Sequence, residues 1–230
     1  MCHRVPKGAT FHRRARRTDV DAEQDTLENP FNMDSDCENC PGLCDVRSNV
    51  AHGYGDVGGE FLFVGERPSD GADDVGIPFT GGEADERLQR ILGDLGFARS
   101  PPDSDRPDLQ NVFLTYLTRC RHPDRRPTDE EIRTCEPYLN AEIRMINPEI
   151  LVPIGQRTLE SLAIDYTTRA PDSFDVREEH ATTIRGRGFE LVPMLDLDEQ
   201  TEADTEAFVD HMLESVFARD YRQTKGRRGR

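Results

Sequence analysis

The chain has 230 residues, a formal net charge of −16 and 35% hydrophobic residues, enough for one α/β domain with a full core plus tails. No apolar run approaches the ~20 residues a membrane helix needs, and the basic N-terminus lacks the apolar segment of a secretory signal. The chain therefore reads as cytoplasmic, where six cysteines argue for metal binding or redox chemistry over a disulfide framework.

Residues 1–32 show little hydrophobic periodicity and read as a disordered tail, residues 33–218 as the folded domain and 219–230 as a basic tail. Residues 60–65 (EFLFVG) have the apolar density of a buried strand, followed by a glycine- and aspartate-rich loop through Gly82. Residues 83–97 predict an amphipathic helix with Leu88, Ile91, Leu92 and Leu95 on one face. A second strand is expected at 111–117. Thr128, with Glu131 three residues on, forms a capping-box signature opening a helix that runs to about Ile146. A strand at 149–155 and a helix at 156–164 follow, then a polar loop at 165–180, short strands at 181–186 and 188–194, and a last helix over about 203–218. Alternating strands and helices imply a three-layer α/β/α fold with a mostly parallel central sheet. In such sheets ligands bind beyond the C-terminal strand ends, which places chemistry near residues 65, 117 and 194.

Charge is unevenly placed. Lys7 and Lys225 are the only lysines; residues 1–17 carry six basic groups and no acid, and residues 219–230 carry six against Asp220. The body between is strongly acidic. Such a composition suggests a halophile, although a GC-rich genome also favours arginine. At ~1 M salt the Debye length is only ~3 Å, so net acidity does not exclude a DNA partner. The basic end at 225–230 could meet phosphates.

Cys37 and Cys40 form a C-x₂-C pair with Cys44 close behind, and Cys120 and Cys135 lie far downstream. Paired thiolates suit tetrahedral zinc or a four-cysteine iron–sulfur cluster, and spacing alone does not choose between them. Cys2 is incidental to this set.

The run from Cys37 to Ser69 resembles the start of the iron–sulfur (family 4 and 5) uracil-DNA glycosylases: C-x₂-C-P-L, an arginine, G-x-G, then a strand ending in G-E-x-P-G. Residues 119–162 resemble the family's K-C-R-P-P…P-x-x-E-E…C-x-x-[FY]-L…I-N-P-x-[IV]-[IV]-x-x-[IL]-G block, and 182–186 its short I-T-K-x-R-G strand. The resemblance implies a [4Fe–4S] cluster on Cys37, Cys40, Cys120 and Cys135, with Cys44 able to replace Cys40. It implies a monomer acting on DNA, with a flipped nucleotide and a damaged base in its pocket. Gly65, Glu66, Pro68, Asp73, Gly76, Pro78 and Phe79 match the first active-site motif, while Ala72 replaces an acid. By resemblance Phe79 stacks on the base, Gly65, Pro68 and Tyr116 line the substrate pocket, and Glu66 and Asp73 are the catalytic acids.

Two positions depart from the family. Tyr116 stands where the family has an Asn that reads the uracil edge. No His follows the last strand, where Asp196 and Asp198 stand near the position of the family H-P-S motif; His180 and His211 are the nearest histidines in sequence. The implied function is a DNA-repair glycosylase for uracil or another deaminated base, with altered activity or specificity. The alternative is a non-catalytic iron–sulfur nucleic-acid-binding protein on the same scaffold, and a cluster-based redox protein is a third.

Overall fold

The computed structural model describes Gln24 and residues 26–221. Lys7, Cys2 and the basic run 225–230 lie outside the described residues. In chain order the elements are α1 (Pro41–Cys44), β1 (Tyr54–Gly55), β2 (Phe61–Gly65), α2 (Asp70–Val75), α3 (Glu83–Asp94), β3 (Val112–Tyr116), α4 (Asp129–Ile146), β4 (Ile150–Pro153), α5 (Gln156–Tyr166), α6 (Val176–Glu179), β5 (Ile184–Arg185), β6 (Glu190–Leu191) and α7 (Glu202–Asp210), which continues as a π-helical turn over His211–Val216. Among the described residues no helix is long and apolar enough to cross a membrane.

The six strands form one sheet in the order β1-β3-β2-β4-β6-β5. The four central strands are parallel, and the two-residue strands β1 and β5 close the edges antiparallel. Strand periodicity explains the layers. Phe61 and Phe63 of β2 join Val112 and Leu114 of β3 on one face, under Leu88, Ile91 and Leu92 of α3 and Phe208 and Met212 of the C-terminal helix. Leu62 and Val64 face the other way with Phe113 and Leu151, under Leu139 and Ile143 of α4 and Leu159 and Leu162 of α5. Because both faces are covered, the central strands are apolar at nearly every position. The three-layer α/β/α expectation holds.

The strongest local signals hold as well. Thr128 accepts the Glu131 amide at 3.2 Å, and Glu131 in return accepts the Thr128 amide at 2.8 Å, so the capping box is complete. Differences lie in short or polar segments. The 65–82 loop contains α2, whose cap Ser69 accepts the Ala72 amide at 3.0 Å. The strands expected at 181–186 and 188–194 shorten to two residues each, and the 165–180 loop contains α6. Residues 26–32, expected in a disordered tail, lie against the body: Asn29 donates its amide to Gly53 O, Glu28 bridges Tyr54, and Phe31 packs on Phe113. Two of these contacts are backbone pairings to the β1 region and one is a ring contact, and hydrophobic periodicity registers neither kind.

Candidate functional site

The C-terminal ends of β2 and β3, the turn after β4 and the segment after β6 converge on one open cleft of about 520 Å³. Gly65, Glu66, Pro68, Phe79 and Tyr116 all line it, together with Ser69, Asp85, Arg121, Arg126, Ile154 and Asp196. Residues far apart in sequence meet here because parallel strands deliver their following loops to the same sheet edge.

Tyr116 forms the floor. It is 2% exposed, its ring lies 4.6 Å from that of Phe79 at 34°, and its Oη accepts the Phe79 amide at 2.8 Å. Phe79 adopts a left-handed backbone at φ 58°, a conformation a bulky residue holds only where its surroundings over-determine it. Here the Tyr116 hydroxyl takes its amide, and the Gln89 side-chain amide donates to its carbonyl at 3.0 Å. Gly65 is obligatory beneath this pair: a Cβ there would lie 2.8 Å from the Phe79 ring and 2.9 Å from that of Tyr116. Burial, helped by the nearby Asp85 charge, holds the Tyr116 phenol well above its ordinary pKa, so it is a neutral group at physiological pH.

Glu66 is an electrostatic hub. Its two oxygens lie 3.0 Å from Arg126 and 3.0 Å from Arg157, and its side chain is 11% exposed. Arg157 continues to Asp129 at 2.5 Å, and Arg126 comes within 4.0 Å of Asp196. The network ties β2, the loop before α4, α5 and the segment after β6 together over the cleft. Burial raises the Asp196 carboxyl above its ordinary value. Asp73, expected beside Glu66, does not line the cleft: its Oδ2 accepts the Ser48 amide at 2.9 Å, joining α2 to the cysteine-bearing segment. The geometry gives Asp73 a bracing position. Of the two histidines nearest the missing motif, His180 Nδ1 accepts the Leu195 amide at 3.1 Å while Nε2 meets Asp204 O at 2.9 Å, and His211 meets the Thr183 hydroxyl at 2.9 Å. Neither lines the cleft.

Asp85 escapes a motif-based reading. It is 3% exposed, lines the cleft from the first turn of α3, and binds the Ser69 hydroxyl at 2.5 Å. Burial pushes its carboxyl up to about 7. The signal was present in sequence: Asp85 falls three residues before Leu88 on the apolar face of the helix, where a charge is out of place.

The cysteines gather elsewhere. Cys37, Cys40, Cys120 and Cys135 line one small cavity with Arg47, Arg119 and Tyr138, and Cys44 is not in its wall. Arg47 donates to Cys120 Sγ at 3.2 Å and to Cys44 Sγ at 3.4 Å, and the Arg119 amide donates to Cys135 Sγ at 3.3 Å. Four soft donors thus surround a shared space, with hydrogen-bond donors turned toward sulfur. Among the described residues no three histidine, cysteine or acidic side chains converge tightly enough for a single metal ion.

The family model of the uracil DNA glycosylase superfamily matches residues 52–206, a span that includes the cleft and the two downstream cysteines. A type-4 uracil-DNA glycosylase of Saccharolobus solfataricus is 34% identical over 128 residues, 55% of this chain and 54% of that protein. One from Pyrobaculum aerophilum is 30% identical over 152 residues, 66% of this chain and 71% of that protein. A type-5 enzyme of Thermus thermophilus is 32% identical over 122 residues, 51% of this chain and 55% of that protein. The chain spans about half the length of the first of these relatives. With more than half of its residues matched by the family model and the sheet and cleft in place, the chain belongs to the uracil DNA glycosylase superfamily.

Proposed function

We propose that this protein is a DNA-repair glycosylase that hydrolyses the N-glycosidic bond of uracil or another deaminated base in DNA, with a specificity reshaped at Tyr116 and Asp196. The observation that carries the reading is the convergence of Gly65, Glu66, Pro68, Phe79 and Tyr116 on one cleft at the C-terminal edge of the sheet. A nucleotide flipped into it would stack against the Phe79–Tyr116 pair. Glu66 would face the positive charge that develops at C1′ as the base departs. Arg126 and Arg157 partly neutralise that carboxylate, which weakens its field at the sugar. Arg126, with its side chain 61% exposed, is placed to leave Glu66 for an incoming phosphate.

The four thiols fit a [4Fe–4S] cluster: they are of the Cys₄ type, share one cavity and meet donors at two sulfurs. Cys37, Cys40, Cys120 and Cys135 would hold it. The cluster would serve as a structural crosslink between the N-terminal segment, the loop after β3 and α4.

The test is a single-turnover assay in molar salt on oligonucleotides carrying uracil, hypoxanthine or xanthine. Excision that Glu66→Gln abolishes supports the proposal. A second reading is favoured by the engaged state of Glu66 and by the carboxylate at Asp196, which would oppose a departing base anion: a non-catalytic protein that binds damaged DNA. Binding of the same oligonucleotides without cleavage would establish that reading.

A further inference from the structure

The polar groups lining the cleft differ in how much bonding capacity they have left. Glu66 is occupied by two guanidinium groups, and Asp196 shares Arg126. Tyr116 turns its hydroxyl oxygen to the backbone amides of Phe79 and Ser69. Asp70, Glu83 and Asp198 stand exposed on the rim. Asp85 alone among the acidic residues lining the cleft is buried, and its bonding is one-sided. Ser69 Oγ already accepts the Ala72 amide, so its proton goes to Asp85 Oδ2. Among the described residues no cation pairs with Asp85 and no hydrogen bond reaches Oδ1.

We propose that Asp85 is a specificity-determining residue, held in one rotamer by Ser69, whose free Oδ1 donates a proton-bearing hydrogen bond to a ring carbonyl of the flipped base. Deamination creates such a carbonyl: it replaces an exocyclic amine, a donor, by an oxygen that only accepts. A neutral carboxyl therefore favours the deaminated base over its parent, and a carboxylate repels it. The groups facing Asp85 are the Ser69 hydroxyl at the start of α2, the Tyr116 phenol on β3, Asp198 after β6 and Glu86 on its own helix. The two acids favour the neutral form, as does burial, against the Ser69 hydrogen bond. The assignment rests on the glycosylase-like reading of the cleft.

The test uses the full chain and oligonucleotides with one 2′-fluoroarabino-uridine, which resists cleavage, or the matching cytidine. Binding is followed by fluorescence anisotropy in molar KCl. Wild type is expected to prefer the uracil probe about tenfold near pH 6, and to lose most of that preference by about pH 8.5. Asp85→Asn, with an amide donor that does not titrate, keeps a preference that no longer changes with pH. Asp85→Ala loses the preference at every pH. A wild-type preference that survives Asp85→Ala, or a pH dependence that survives Asp85→Asn, overturns the assignment and leaves the glycosylase reading standing. A wild-type protein that prefers neither probe at any pH overturns the assignment, and one that also excises none of the deaminated bases in the single-turnover assay overturns the glycosylase reading as well.

Discussion

Arg119 and Glu142 meet at 2.6 Å with each side chain 1% exposed, and Arg119→Met tests what that buried pair holds. Glu142 also accepts the Thr115 hydroxyl at 2.6 Å and the Gly53 amide at 3.2 Å, so α4, β3 and the turn before β1 all depend on it. Arg119 in turn donates to the Tyr116 carbonyl, which couples the pair to the cleft floor. Removing the guanidinium leaves a carboxylate in a dry interior, a loss of about 3–5 kcal/mol. For a chain of this size that corresponds to a fall of roughly 6–20 °C in Tm. Adding Glu142→Gln removes the stranded charge; its carbonyl oxygen still accepts the Gly53 amide, and its NH2 donates to the Thr115 hydroxyl oxygen, which turns to accept, so the double variant should recover to within about 1–2 kcal/mol of wild type. Burial raises the Glu142 pKa and Arg119 opposes that; without Arg119 it rises further. A carboxyl with a raised folded pKa stabilises below its unfolded value of ~4.3 and loses that contribution as pH climbs through the folded one. The Arg119→Met deficit should therefore shrink as pH falls from neutral toward 5, and the double variant should show no such recovery. Urea melts in molar KCl across that range decide the matter. A single variant that costs less than about 1 kcal/mol, or a double variant no better than the single, refutes the account.

Replacing Tyr116 by Asn and Asp196 by His should raise uracil excision in the single-turnover assay; unchanged inactivity of a well-folded double variant would count against this account of the pocket. Tyr116→Phe leaves the Phe79 amide without its acceptor and should cost about 1–3 kcal/mol in a denaturation melt, and no loss would mean that this hydrogen bond contributes nothing. Anaerobically purified protein should carry iron and acid-labile sulfide near ~4 each per chain, with iron lost in Cys135→Ser and retained in Cys44→Ser; zinc alone would refute the cluster. Arg125 and the Thr128 cap hold the Glu131 carboxyl down at about 2. Its contribution is thus present above the unfolded pKa of ~4.3 and lost as pH falls through about 2. Glu131→Gln should be less stable than wild type at neutral pH, with the gap closing in acid; a gap independent of pH would assign the effect to something other than charge.

Long periodic segments were legible because their information is local. Leu88, Ile91 and Leu92 mark α3, Thr128 and Glu131 start α4, and the unbroken apolar runs mark β2, β3 and β4 as strands covered on both faces. The strands near residues 184 and 190 are shorter than their apolar runs because edge pairing ends where a partner ends, not where apolar residues do. Helix α2 is not legible in the sequence because six residues rich in Gly and Asp carry no periodic signal, and their cap, Ser69, serves the cleft as well.

The sequence by itself determined the positions of the long helices and the central strands and the clustering of five cysteines in two groups, and its resemblance to the family marked the departures at Tyr116 and near Asp196. The first two are written in residue type and spacing, the departures in the comparison with the family's motifs. Only the tertiary structure decided that Cys44 stands outside the cavity its neighbours share, that Asp73 braces Ser48, and that Glu66 is shared by Arg126 and Arg157. It also placed Asp85 and Ser69 beside Tyr116. The physical reason is that bonding capacity is spent across the fold: whether a carboxylate or thiol is free to act depends on partners tens of residues away in the chain, brought to the same sheet edge by parallel crossovers.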